Sequence, residues 1–464
     1  MSGLDIVIIG GGVGGYTAAL RGVQLGLKIA LIEKDQIGGV CLNRGCIPTK
    51  TIVSSARVFD YLKNAREYGL YAENIHYDFA KIIKRKDQIV KRLTLGVQSL
   101  LKARKVQVIT GTAKIVEPGK VIIYRENRQK EMLLAKNIII ATGSSGRHVP
   151  IAGLHHKGVI DTDEALTIGT LPEKISVIGA GYSGIEFASI FRHFDVNVDV
   201  VDILERILLP VDEEIANSLF QTLKKKGICF SLNSQVKHIE KKGKNLIILI
   251  ESGSKSKEVK AESVLVSTGR IPDFGGIDVD KLGIEKEGEG IKVDSFMRTN
   301  IPGIYAVGDV VAKKMLAHVA SMQGQVAVLH IAGMSRPMNY QIVPFCVFSN
   351  PEVASVGINE EEAKNRYKDV SIFKFPYRAN GKALGMGEKE GYVKMIDYGK
   401  NQKIAGIHII GAHASDLIAE ATLSLKMGCG ASDIAETIHA HPTLSETMAE
   451  AAEGILGYPI HVLR

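Results

Sequence analysis

The sequence predicts an α/β fold: two parallel-sheet units in series, then a C-terminal α+β region. Three observations carry this. The fingerprint G-x-G-x-x-G occurs twice, at Gly10, Gly12, Gly15 and at Gly179, Gly181, Gly184. Each copy follows an apolar strand-like run and opens a helical pattern. From about residue 340 the pattern changes to strand-like runs followed by helical ones.

Residues 4–34 give the first unit. Asp5 to Ile9 is a buried strand run, the glycines form the turn, a helix continues to about Leu25, and Gly26 stops it. A second strand, Lys28 to Ile32, ends at Glu33. The first glycine permits the tight turn, the second lets backbone approach a pyrophosphate, and the third allows close helix–strand packing. An acid at the end of the second strand can hydrogen-bond a ribose diol. The unit therefore predicts an ADP-bearing ligand, without distinguishing FAD from NAD.

Next comes Gly38-Gly39-Val40-Cys41-Leu42-Asn43-Arg44-Gly45-Cys46-Ile47-Pro48-Thr49-Lys50. Metal sites pair cysteines at shorter spacing and need further ligands nearby, which do not follow. Five residues of helix rise roughly 7.5 Å, whereas a disulfide holds its Cα atoms within about 4.4–6.8 Å. A bridged pair therefore requires a distorted helix, for which Gly45 gives latitude. A redox disulfide and two unpaired, partly buried thiols both fit the spacing.

Residues 51–105 read as helix with a polar interruption around 66–78. Residues 106–140 read as short strands, with turns at Glu117-Pro118-Gly119 and around Glu126-Asn127. The second unit begins near Lys174 and ends its second strand at Asp202. Two fingerprints imply two dinucleotides, between which a hydride can pass. Asp202 accepts from a 2′-hydroxyl and repels a 2′-phosphate, which predicts NAD. In the last region Tyr392–Ile396 and Ile404–Ile410 read as strands, and Ala414–Met427 and Ala431–Ile438 as helices. Thr443 with Glu446 fits a capping box.

The chain has 464 residues, enough for several domains, with 45% hydrophobic and 23% charged residues. The net charge is +8, with basic residues read as scattered. Neither nucleic acid nor membrane is expected as a partner. Five cysteines, an odd and sparse number, argue against a secreted disulfide framework. No signal peptide is visible, so the expected location is cytoplasmic.

The cysteine stretch resembles the active-site segment of the flavin-dependent pyridine nucleotide–disulfide oxidoreductases. Its Cys-Leu-Asn-x-Gly-Cys-Ile-Pro-Thr-Lys form is most similar to the dihydrolipoyl dehydrogenase branch. The resemblance implies FAD in the first unit and NAD in the second. It implies boundaries at 1–147 (FAD unit, first part), 148–270 (NAD unit), 271–338 (completing the FAD unit) and 339–464 (dimerisation). Cys41 would be the interchange thiol and Cys46 the thiol against the flavin. His441 would be the acid–base catalyst oriented by Glu446, with Lys50 and Glu186 an ion pair near the flavin. On the FAD side it adds Ala113, Thr142, Gly143, Ser144, Asp309, Met315, Leu316, Ala317 and His318. On the NAD side it adds Val236 and Gly269. No metal is implied. Gln323 departs from the family, which usually has an acid there, and Asn350 replaces a more usual His. The implied activity is oxidation of protein-bound dihydrolipoamide with reduction of NAD⁺. The implied partners are a second copy of the chain and a lipoyl-bearing acyltransferase or glycine-cleavage carrier protein. A glutathione reductase-like enzyme and a non-catalytic binding or adhesion protein are the alternatives.

Overall fold

Strand β1 (Leu4–Ile9) places Ile6, Val7 and Ile8 fully out of solvent. That is the pattern of a parallel strand covered on both faces. In a computed structural model, which describes residues 3–125, 129–399 and 403–463, it lies at the centre of the first sheet. Helix α1 (Val13–Gln24), β2 (Ile29–Glu33), α2 (Gly39–Arg44), α3 (Cys46–Lys63) and α4 (Phe79–Ala103) follow. The cysteine-bearing helix α3 thus begins at Cys46, five residues before the helical stretch that the sequence predicts from residue 51. Gly45 separates it from α2 with φ −141° and ψ −103°, so the interruption falls at the predicted residue.

Strands β3 (Gln107–Thr110), β4 (Thr112–Glu117), β5 (Lys120–Tyr124) and β6 (Lys130–Ile140) complete the order β3-β2-β1-β6-β5-β4. The turn expected around Glu126-Asn127 lies outside the described residues. A short ribbon strand, β7 (Ser144–Gly146), leads to β8 (Val159–Asp161) and α5 (Thr162–Ala165).

The second fingerprint joins β9 (Lys174–Ile178) to α6 (Tyr182–His193) and β10 (Asn197–Val201). Next come α7 (Glu213–Lys225), β11 (Cys229–Ser231), β12 (Gln235–Lys242), β13 (Asn245–Ser252), β14 (Lys255–Ala261) and β15 (Ser263–Val266). The second parallel sheet has the order β11-β10-β9-β15-β8, while β12-β13-β14 form a separate antiparallel sheet. Strand β16 (Arg270–Pro272) pairs back onto β7. After β17 (Lys286–Glu287) and β18 (Gly290–Ile291), β19 (Ile304–Ala306) pairs in parallel with β6 and so rejoins the first sheet. Helix α8 (Ala317–Ile331) crosses α1 closely: a Cβ at Gly324 would stand 2.4 Å from the Gly14 carbonyl oxygen.

The C-terminal region contains β20 (Phe345–Val347), β21 (Glu352–Gly357), α9 (Glu360–Arg366), β22 (Val370–Pro376), α10 (Gly381–Gly385), β23 (Tyr392–Tyr398) and β24 (Lys403–Gly411). Its antiparallel sheet has the order β20-β21-β24-β23-β22. Helices α11 (Ala414–Met427), α12 (Ala431–Ala435) and α13 (Glu446–Leu456) follow. Helix α12 ends three residues short of the expected Ile438. Two buried ionic contacts tie this region to the rest. Glu352 accepts from Arg57 of the redox helix at 2.7 Å. Lys394, 1% exposed, lies 3.0 Å from Asp212 and 2.6 Å from Glu360. No helix among the described residues is long and apolar enough to cross a membrane.

Candidate active site

The cysteine segment is docked directly on the first glycine turn. Gly38 donates to the Gly11 carbonyl at 2.8 Å, and Gly38 forms a parallel bridge with Gly12. A Cβ at Gly39, whose φ is +58°, would stand 2.7 Å from Gly12 Cα. Two backbones approaching this closely leave no room for a side chain. Asn43 fastens the segment from within, donating to the carbonyls of Ile37 and Gly39 at 3.2 and 2.9 Å.

Across the break at Gly45 the thiols of Cys41 and Cys46 are close enough to perturb each other's titration, and both are free. Cys46 is pulled down to about 7, first by the Cys41 thiol and then, against burial, by the Lys50 charge. Cys41 is pushed up by the Cys46 thiol and by burial. Of the two thiols, Cys46 is thus the more acidic and the one on the Lys50 side.

Lys50 reaches both carboxylate oxygens of Glu186 on α6, at 2.9 and 2.8 Å, and lies 4.6 Å from the centre of the Phe348 ring. Glu186, 4% exposed, also accepts from the Phe348 amide at 2.9 Å. One ion pair thus joins the redox helix to the second nucleotide unit. Tyr182, at the start of α6, packs edge-on against Phe345 with ring centres 6.0 Å apart. Burial raises its hydroxyl pKa, with Asp309, Glu186 and Cys46 among the nearby charges.

The two glycine turns are built alike. At Gly10 (φ +109°) a Cβ would lie 2.2 Å from the Ala141 carbonyl oxygen; at Gly179 (φ +110°) it would lie 2.5 Å from that of Ser267. Gly15 and Gly184 pack onto the carbonyls of Gly10 and Gly179. Nothing lies within 4 Å of a Cβ at Gly181, and only Gly39 Cα, at 3.9 Å, approaches one at Gly12. Both middle glycines leave open space, as a phosphate cradle needs. Glu33 accepts from the amides of Gly11 (2.5 Å) and Asp35 (2.8 Å). Asp202 accepts likewise from Ala180 and from Leu204, the latter at 2.8 Å. A carboxylate has about four acceptor sites, so each acid keeps capacity for a ribose.

Around the first turn, Thr142 Oγ1 is buried without a partner, and Gly143 has φ +81°. Ser144 donates to Asp309 at 2.5 Å and accepts from Arg270 Nε at 2.8 Å. Gln323, 1% exposed, accepts from the Gly308 amide and donates to the Tyr340 hydroxyl, both at 2.7 Å. The departure from the family's acid thus leaves a neutral residue fastening the loop that carries Asp309. Leu316 precedes α8, whose first residue is Ala317; Met315 is half-buried, and His318 Nε2 contacts the Pro344 carbonyl oxygen at 2.9 Å. Ala113 is buried on β4 and Val236 on β12. Gly269, with φ +97°, has open space where a Cβ would be. The orphaned threonine and the open glycine turns fit bound dinucleotides.

His441 and Glu446 are together: Nδ1 lies 2.8 Å from Oε1, and the other carboxylate oxygen accepts from the Thr443 amide at 2.8 Å. These partners lower the Glu446 pKa against the opposing effect of burial. Only half of the expected capping box forms. Thr443 Oγ1 turns to the Ala440 carbonyl and Ser445, and Ser445 takes the N-cap position. The His441 side chain is 79% exposed. Among the described residues, neither cysteine is hydrogen-bonded to it within the protomer. A second pair, His439 and Glu420 at 2.9 Å, escaped the sequence reading, as did Tyr182, Phe348 and the Arg57–Glu352 contact. Only the placement of Tyr182 inside the second fingerprint offered a signal.

Residues 4–324 match the pyridine nucleotide-disulphide oxidoreductase family, and residues 343–452 match that family's dimerisation domain. A dihydrolipoyl dehydrogenase of Geobacillus stearothermophilus is 40% identical over 99% of this chain and 97% of its own. The mitochondrial dihydrolipoyl dehydrogenase of Pisum sativum is 38% identical over 99% and 92%. Among solved structures, LpdA of Mycobacterium tuberculosis superposes with a TM-score of 0.91 at 25% identity, covering 97% of this chain and 100% of its own. The HOCl-induced flavoprotein disulfide reductase of Escherichia coli gives 0.86 at 26%, covering 97% and 99%. Fold, cysteine pair and near-complete coverage agree: the chain belongs to the pyridine nucleotide-disulphide oxidoreductase family.

Proposed function

We propose that the chain is a dihydrolipoyl dehydrogenase, oxidising protein-bound dihydrolipoamide and reducing NAD⁺. The observation that carries this is the Cys41–Cys46 pair, with a low thiol at Cys46 beside Lys50. The first unit holds FAD through Gly10, Gly12, Gly15, Glu33, Thr142, Ser144 and Asp309. The second holds NAD⁺ through Gly179, Gly181, Gly184 and Asp202. When bound, these cofactors would carry the electron pair from the reduced cysteines to NAD⁺, which becomes NADH.

The chain's own residues do the thiol chemistry. In the oxidised enzyme Cys41 and Cys46 form a disulfide. His441 takes the proton of one dihydrolipoyl thiol, because the thiolate is the nucleophile. That thiolate attacks Cys41 Sγ, and Cys46 leaves as a thiolate stabilised by Lys50. The second substrate thiol then displaces Cys41, releasing the cyclic disulfide and the reduced pair. Glu446 fixes the imidazole so that Nε2 faces the substrate. The exposed His441 of one protomer serves the cysteines of its partner, in a two-fold homodimer.

An activity panel tests the reading. Dihydrolipoamide with NAD⁺ should be turned over, and glutathione disulfide with NADPH should not. The reverse result would favour a glutathione reductase-like enzyme.

A further inference from the structure

Residues 81–105 carry nine Lys and Arg against one Asp, a net +8 that equals the net charge of the whole chain. The other residues sum to neutrality. Nearly all of this segment lies on α4. Helical spacing puts Lys84, Gln88, Lys91, Arg92, Leu95 and Lys102 on one outer face. All six are exposed, and Lys84, Lys91, Arg92 and Lys102 have no carboxylate within ion-pair distance among the described residues. The opposite stripe, Phe79, Ile83 and Leu101, is buried in the protomer.

The helix lies against the redox segment. Thr94 donates to Asn43, two residues from Cys41, at 3.1 Å. Arg85 donates to the Thr51 carbonyl of the redox helix at 3.2 Å. A molecule seated on the outer face of α4 is thus about one helix diameter, ~10 Å, from the cysteine-bearing helices.

We propose that the outer face of α4 docks the acidic carrier protein that presents the dihydrolipoyl group. This rests on the dihydrolipoyl dehydrogenase reading and names the partner of that site. Unpaired cations beside a neutral remainder attract and orient a protein of opposite charge. A bilayer is a poorer occupant, because the basic outer face carries a single leucine, Leu95, and no continuous apolar stripe to insert. Nucleic acid is poorer too, because the face has no aromatic residue on which a base could stack.

The test compares the unmodified enzyme with Lys84→Glu/Lys91→Glu/Arg92→Glu and with the corresponding triple Gln variant, all checked for equal melting temperature. The probes are free dihydrolipoamide and a dihydrolipoylated carrier domain of net negative charge. At low ionic strength kcat/KM for the carrier should fall about tenfold or more in the Glu variant and less in the Gln variant. Free dihydrolipoamide should change by less than about twofold. Added salt should erase the difference. Fluorescence anisotropy of the labelled carrier reads docking directly, with phosphatidylserine vesicles and a single-stranded oligonucleotide as competitors. Unchanged carrier kinetics and anisotropy in the Glu variant would overturn the proposal, as would tighter binding to vesicles or oligonucleotide. Failure of the unmodified enzyme on free dihydrolipoamide would instead reject the underlying activity, with the anisotropy still judging the docking.

Discussion

Lys50 Nζ is 2.8 Å from Glu186 Oε2, although the two residues are 136 positions apart and belong to different nucleotide units. The same ammonium lowers the Cys46 pKa. Lys50→Met should therefore raise the Cys46 pKa above 7, and thiolate absorbance of the reduced protein against pH measures it directly. It also leaves Glu186 buried and unpaired, a loss of about 3–5 kcal/mol for a fully buried pair and less here, since Lys50 is 30% exposed. An unchanged titration would show that the neighbouring Cys41 thiol alone sets the value.

Asp202 predicts strong preference for NAD⁺ over NADP⁺. Hydrogen bonds to a charged group contribute about 1.5–3 kcal/mol, so Asp202→Ala should lower kcat/KM for NAD⁺ about tenfold to a hundredfold. The discrimination should narrow as well, since the repelling charge is gone. Equal kcat/KM for the two nucleotides in the unmodified enzyme would reject the role.

Gln323 holds the Gly308 amide and the Tyr340 hydroxyl. Gln323→Leu leaves both polar groups without that partner in a buried setting, at about 1–3 kcal/mol each. The expected outcome is a lower melting temperature and easier loss of FAD, read from the release of flavin fluorescence. Retention equal to that of the unmodified protein would exclude a positioning role.

His408 is buried, and burial depresses its pKa below the ordinary value of 6.5. The folded state thus favours the neutral ring. Its contribution is fully present above about pH 6.5 and is lost as pH falls through the folded value. The melting temperature should drop between pH 7.5 and 5.5, and less steeply in His408→Gln, which can still donate to the Ile358 carbonyl. Parallel pH profiles would assign the acid sensitivity elsewhere, for instance to the nearby Lys394 cluster.

Much of this was legible in the sequence because it depends on neighbours. The fingerprints, Glu33, Asp202 and the break at Gly45 are dictated within a few residues by turn and strand chemistry. His441 and Glu446 are five positions apart and meet as read. Contacts across long separations were not legible from periodicity: Arg57 with Glu352, Lys394 with Asp212, and the Arg270–Ser144–Asp309 chain depend on how the units dock. The antiparallel sheet at 235–261 was missed as well. So was the basic concentration at 81–105, which the sequence shows but whose shared outer face depends on α4.

The most direct measurement mixes two inactive variants, Cys46→Ser and His441→Gln, after dissociation and reassociation. If the cysteines of one protomer work with the partner's His441, the heterodimer has one doubly damaged site and one intact site. Dihydrolipoamide–NAD⁺ activity should then return, to about half the unmodified value per heterodimer. If each protomer builds its own site, every site keeps one lesion. Absent activity in a preparation shown to contain heterodimers would contradict the shared site.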